Sequence, residues 1–215
     1  MVDDIIREIE DDLRSDRFKR LWQRYHNHVY AAAVLLVVGV AGYEAWQYRE
    51  REARAAEGAR FNAAMAQAEA GDSAGAGQAF AALARDAGHG YAILARLYDA
   101  DLLAKKGDID GALQRYDAIG ADGGVEQPFR DLALLLSAGL RVDRDDPQSV
   151  IQRLQPLTGE TNTWRFSARE LTAVAALRAG NAAEARTQLT RLSDDALAPQ
   201  GIRQRAAELL KTLGE

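Results

Sequence analysis

Hydrophobic and polar positions change rhythm twice along this chain. From Ile5 to Trp22 the apolar residues Ile5, Ile6, Ile9, Leu13, Phe18, Leu21 and Trp22 recur at helical spacing among charges. Asp3 and Asp4 stand where a helix start is capped. That pattern predicts an amphipathic helix over 3–24. The rhythm then stops: from Tyr25 to Tyr43 no residue carries a formal charge, and VYAAAVLLVVGVAGY is apolar apart from its two tyrosines. After Arg49 the sequence is charged in both signs, then rich in alanine, and helical periodicity returns to the end.

The uncharged stretch reads as a membrane anchor over 29–48. Twenty helical residues from Val29 to Tyr48 span roughly 30 Å, the thickness of a hydrocarbon core. Seven Val and Leu residues lie between Val29 and Val40, and together they favour insertion by about 3 kcal/mol. Glu44 is close to one end, where its carboxylate reaches the headgroups. Trp22, Tyr25 and Tyr30 flank one side, and Tyr43, Trp46 and Tyr48 the other, as in an interfacial belt. Val29, Leu35, Leu36, Gly39, Gly42 and Tyr43 mark the anchor, and the small pairs Gly39/Gly42 and Ala41/Ala45 leave room for another membrane helix. A cleaved signal peptide fits worse, because 28 residues precede the apolar run and seven of them are acidic. Lys19, Arg20 and Arg24 before the run, against Arg49 and Arg51 after it, favour an N-terminus inside.

Beyond the anchor the sequence repeats itself. Turn signals at Gly71-Asp72 and Gly107-Asp108 are 36 residues apart, and the next, Gly180-Asn181, lies 73 further on. Asp145-Asp146-Pro147 fills the midpoint. A period near 36 residues means an array of helical hairpins. Seven residues before each turn stands alanine: Ala64, Ala100, Ala138 and Ala173. Five after stands a small or short residue (Ala76, Ala112, Val150, Ala185), and nine after a large apolar one (Phe80, Tyr116, Leu154, Leu189). Antiparallel helices approach closely only where both offer small side chains, and the large residue on the same face fills the gap to the next hairpin. Pro199 to Leu213 reads as one further helix closing the stack. The expected fold is all-α: a single N-terminal transmembrane helix, then an α-solenoid of about four degenerate hairpins with a C-terminal capping helix.

Candidate chemistry is sparse. The sequence has no cysteine, so disulfides and thiolate metal sites are excluded. A net charge of −5 disfavours a nucleic-acid partner. His26-x-His28 lies at the membrane boundary, and residues two apart on a helix face different ways, so this is a poor metal pair. His89 sits between two glycines with no local acid-base partner. Gly71, Gly75 and Gly77 match no phosphate loop. Asp143, Asp145 and Asp146 faintly resemble a calcium loop, but Gln148 and Leu154 stand where the glycine and distal glutamate are needed. No catalytic residue, cofactor or metal site is expected, and the reading is of a scaffold rather than an enzyme. By repeat phase, Leu97, Asp101 and Lys105 in the second hairpin, with Glu170 and Arg178 in the fourth, are expected to line a partner-binding groove.

The small/turn/small/large spacing over about residues 57–193 resembles the tetratricopeptide repeat, in degenerate copies. The whole order of segments resembles the YfgM-like family of ancillary SecYEG translocon subunits. The resembling pieces are the leader DDIIREIEDDLRSDRFKRLWQRY, the anchor end VAGYEAWQY, and the turns AEAGD, AKKGD and LRAGN. That resemblance implies a bacterial inner-membrane protein with a cytoplasmic leader (1–28), a transmembrane helix (29–48) and a periplasmic repeat domain (49–215). It implies protein partners, namely the translocon and periplasmic chaperones or translocating polypeptides, and no small-molecule substrate. The alternative on the same scaffold is an assembly factor or accessory structural subunit of another envelope complex.

Overall fold

An Asp or Asn side chain opens the second helix of each hairpin. In this computed structural model the carboxylates of Asp72, Asp108 and Asp146 accept the backbone N–H of Gly75, Gly111 and Ser149 at 2.9, 3.0 and 2.9 Å, and Asn181 accepts that of Glu184 at 3.1 Å. Each cap satisfies one N–H that a helix start leaves unpaired. The preceding helix is closed just as locally. Gly71, Gly107 and Gly180 adopt φ of +84°, +85° and +70°, a region that only glycine enters without strain. The next N–H then reaches back five residues: Asp72 to Gln67, Asp108 to Leu103, Asn181 to Ala176. This is a Schellman closure.

The structure describes the backbone of residues 2–214 and the side chains of residues 22, 24–28, 30–88 and 90–214. The side chains of Ile5, Ile6, Ile9, Leu13, Phe18, Leu21, Val29 and His89 lie outside the described residues, and so does the amphipathic reading of the leader. The elements are α1 (Val2–Glu69), α2 (Ser73–Asp86), α3 (His89–Lys105), α4 (Ile109–Ala121), α5 (Gln127–Arg141), α6 (Pro147–Leu154), a 3-10 turn (Gln155–Leu157), α7 (Arg165–Arg178), α8 (Ala182–Asp194) and α9 (Gln200–Thr212). No strand occurs among the described residues.

The protein divides into two units, 1–56 and 57–215. In the first, Val34, Leu35, Leu36, Val37, Val38 and Val40 are all more than half exposed. Among the described residues, the segment Arg24–Glu69 is long and apolar enough to cross a membrane. Past the apolar run the same helix carries a ladder of contacts four residues apart: Gln47 with Tyr43, Arg51 with Gln47, Tyr48 with Glu52 and Arg54 with Glu50. Polar pairs at that spacing support a helix that has little packing of its own.

The second unit holds four hairpins, made by residues 57–69 with α2, α3 with α4, α5 with α6, and α7 with α8; α9 follows them. The twelve repeat-phase positions all lie in its core. Ala64, Ala100, Ala138, Ala173, Ala76, Ala112, Val150 and Ala185 are each 0% exposed, and Phe80, Tyr116, Leu154 and Leu189 are at most 2% exposed. Packing is linked from hairpin to hairpin. One cluster joins Ala64, Phe80 and Leu102; the next joins Leu97, Tyr116 and Ala133. A third joins Ala138, Leu154 and Ala175, and the last joins Ala173, Leu189 and Ile202. Each large side chain thus bridges its own hairpin to the following first helix, as in a one-dimensional array. Phe61 adds a tilted contact to Phe80 and an edge contact to Tyr98, with centroids 5.6 and 5.2 Å away.

The third turn departs from the others. It lacks glycine, so Val142 ends α5 with right-handed backbone angles, and its carbonyls need another donor. Arg178, one repeat later, supplies it. Its guanidinium donates to the Val142 carbonyl, and reaches those of Asp143 and Asp145 at 3.3 and 3.4 Å.

Candidate partner-binding surfaces

Repeat phase and exposure disagree for one predicted groove residue. Leu97 is 5% exposed and packs with Ile93, Tyr116 and Ile119. Phase counting places it on the first-helix face, but α4 covers that position, so Leu97 belongs to the core and is removed from the groove set. Asp101 and Lys105 do come together, as an ion pair of 2.8 Å one turn apart. The hydrogen bond and charge of Asp101 raise the Lys105 pKa above its ordinary value, with burial acting weakly the other way. Glu170 is gripped through both oxygens by Arg205, at 2.6 and 2.9 Å. Arg178 serves the third turn. The four remaining positions are thus paired within the array, and only the first two pair with each other.

The anchor residues lie on the first unit. Leu35, Leu36 and Tyr43 are 72%, 67% and 56% exposed, and a Cβ added at Gly39 or Gly42 would meet nothing within 4 Å. His26 Nδ1 donates to the Trp22 carbonyl at 3.1 Å. In the acidic turn, Asp145 pairs with Arg141 at 2.9 Å and Asp146 caps α6, so these two carboxylates are occupied as in an ordinary turn. Among the described residues searched, no group of three or more His, Asp or Glu side chains is arranged to hold a metal.

The sequence pattern does not announce a set of clefts on the other face. One lies between α2 and α4 over α3, about 410 Å³, lined by Ala81, Arg85, Arg96, Asp99, Arg115 and Ala118 among others. A second lies between α4 and α6 over α5, about 460 Å³, lined by Asp117, Gln127, Arg130, Asp131, Leu134 and Arg153 among others. A third, about 300 Å³, lies between α6 and α8 over α7, with Gln152, Gln155, Thr158, Thr172, Glu184 and Gln188. There was a signal. Arg115, Arg153 and Gln188 each stand eight residues after a turn, directly before the large core residue. The same repeat position therefore lines all three clefts.

Their electrostatics are local. In the first cleft Arg96 bonds Asp122 at 2.8 Å and Arg115 approaches Asp99 at 3.5 Å. The Arg96 hydrogen bond, then the Gly124 N–H, hold the Asp122 carboxyl below the usual range. Behind the second cleft, Arg141 bonds Asp117 at 2.7 Å and Asp145 at 2.9 Å. Burial opposes its charge, but those two carboxylates outweigh it and raise its pKa. Beside the third cleft, the buried Arg169 donates to the Thr158 carbonyl at 2.9 Å and to Glu160 at 2.6 Å.

A linked stack of capped hairpins defines a helical-repeat domain. The protein matches the tetratricopeptide repeat-like domain family over residues 19–206 and belongs to that family. The match takes in the apolar stretch as well as the hairpins. No curated protein and no solved structure matches it. Domains of this family are scaffolds for protein–protein contact, so protein partners in general follow from membership.

Proposed function

We propose that this protein is a non-enzymatic, membrane-anchored scaffold that holds a repeat surface close to a bilayer. The observation that carries the reading is the run Val34–Val40, whose large side chains lie 55% to 72% exposed on a helix. An aqueous surface of that kind is costly, and a bilayer removes the cost. On this reading 1–28 is a cytoplasmic leader, 29–48 the span and 49–215 a periplasmic domain in a bacterial inner membrane, with the basic bias before the apolar run supporting the orientation. Tethering raises the local concentration of the repeat surface, so weak contacts with polypeptides near the membrane gain effect. The resemblance to ancillary SecYEG subunits supports the translocon, with chaperones or emerging polypeptides, as the partner set. The alternative is an assembly factor or accessory subunit of another envelope complex.

Photo-crosslinkers at Gly39 and Tyr43, followed by copurification in mild detergent, test this. Capture of a translocon subunit is the expected result. Exclusive capture of a different membrane complex transfers the scaffold to the alternative, and recovery of the full-length protein in the soluble fraction of cells would overturn the anchor.

A further inference from the structure

The second cleft has a surplus of hydrogen-bond donors. All four oxygens of its two acidic residues are already engaged. Asp117 accepts from the Ser137 hydroxyl at 2.8 Å and from Arg141 at 2.7 Å. Asp131 accepts from Gln127 at 2.6 Å and from Asn162 at 2.8 Å. Its two arginines are not matched in this way. Arg130 donates one hydrogen bond, to the Gln127 side chain, and its Nε is buried with no partner. Arg153 has a single contact, to Asp117 at 3.8 Å, beyond hydrogen-bond range, and its side chain is 41% exposed. A guanidinium offers five N–H donors in a planar fork suited to an oxyanion. The rest of the lining is Tyr116, Gly120, Ala121, Leu134 and Pro156. A volume of about 460 Å³ takes a few residues of peptide.

We infer that the cleft between α4, α5 and α6 is a peptide-binding subsite that takes a carboxylate flanked by an apolar side chain, with Arg153 and Arg130 on the carboxylate and Leu134 and Pro156 against the apolar group. The subsite lies on the second-helix face, away from the predicted first-helix groove. It rests on the cleft itself and not on the identity of the membrane partner. Two sources carry this chemistry, the C-terminal carboxylate of a polypeptide and an internal Asp or Glu.

The test is equilibrium titration of the full-length protein in detergent micelles with three fluorescein-labelled peptides, read by anisotropy. One ends Gly-Ala-Leu with a free carboxylate. The second is the same peptide as its C-terminal amide. The third carries an internal glutamate, Gly-Glu-Leu-amide. At least one carboxylate peptide binds at least tenfold more tightly than the carboxylate-free amide, and the stronger of the two names the source. Arg153→Gln, at an exposed side chain outside the core, weakens that binding about tenfold. Ala121→Trp, at an exposed position, closes the cleft and abolishes it. Equal binding of all three peptides, no binding of any, or binding unchanged in both variants overturns the proposal. A failure here leaves the crosslinking result at Gly39 and Tyr43 untouched, and the reverse also holds.

Discussion

Glu170 on α7 and Arg205 on α9 form a two-pronged ion pair across 35 residues, with contacts of 2.6 and 2.9 Å. That separation is one repeat, so the pair joins adjacent first helices of the stack. Nearly the same interval recurs in Arg178 with the Val142 carbonyl, Trp164 Nε1 with the Pro128 carbonyl at 2.8 Å, and Arg144 with Asp110 at 3.1 Å. The Glu170 pair, which raises the Arg205 pKa through its hydrogen bond and charge, is open to solvent on the arginine side. Its coupling is therefore modest, about 0.5–1 kcal/mol. A double-mutant cycle with Glu170→Gln and Arg205→Gln in denaturant unfolding measures it, and the coupling shrinks at high salt.

Arg178 has a more specific task. It supplies donors to three carbonyls of a turn that has no glycine. Arg178→Gln removes them and lowers stability by about 1 kcal/mol, with hydrogen exchange accelerated first at 142–146. Arg178→Lys recovers only part of the loss, since one ammonium does not reproduce the fork. Unchanged exchange at the third turn would show that water serves those carbonyls equally well.

These contacts mark the boundary of what the sequence discloses by itself. The turns were readable because each is written in adjacent residues: a glycine forced to positive φ, then an Asp or Asn cap. The third was found from the period, despite lacking the glycine. The small and large columns were readable because close approach of helices admits few side chains. Leu97 was misplaced because phase gives a direction around α3 but not how far α4 reaches over it. The contacts of Glu170 and Arg178 are not legible locally because their own partners lie a full repeat away. The clefts follow from the spacing between second helices, which no local pattern encodes, although the shared position of Arg115, Arg153 and Gln188 pointed there.

Close packing at the small columns gives a prediction with an internal control. Ala112 is 0% exposed, whereas Ala118, on the same helix, faces solvent. Ala112→Trp overpacks the second hairpin and costs about 1–3 kcal/mol or more, while Ala118→Trp changes stability by less than about 0.5 kcal/mol. Ala185→Trp repeats the loss in the fourth hairpin. Thermal unfolding followed by far-UV circular dichroism separates the cases, and equal melting of all three would dissolve the repeat phase.

Two glycines give opposite signs for one substitution. Gly107 has φ of +85° at a helix end, and Gly107→Ala costs about 1 kcal/mol through the left-handed backbone. Gly139 lies inside α5 with nothing within 4 Å of an added Cβ. Gly139→Ala therefore stabilises by about 0.5–1 kcal/mol, chiefly by restricting the unfolded state. Urea midpoints at constant slope report both shifts.

Tyr116 gives the array a defined alkaline limit. It is 2% exposed in the core between α3, α4 and α5. Burial, then the charge of Asp101, push its phenol up to about 12 from an ordinary value of 10.0. In the unfolded state the phenol ionises near its ordinary value, so between about pH 10 and 12 the unfolded state holds fewer protons than the folded one. Stability is fully present below about pH 10 and falls as pH rises to about 12, by about 2 kcal/mol. Tyr116→Phe removes this loss, so the variant gains on the parent in that window and matches its pH slope below it. The sequence has seven tyrosines, so the assignment comes from the difference between parent and variant phenolate absorbance. One phenol titrating near 12 in the difference curve is the expected result, and a difference curve centred on the ordinary tyrosine value would place Tyr116 in water and break the core contact between the second and third hairpins.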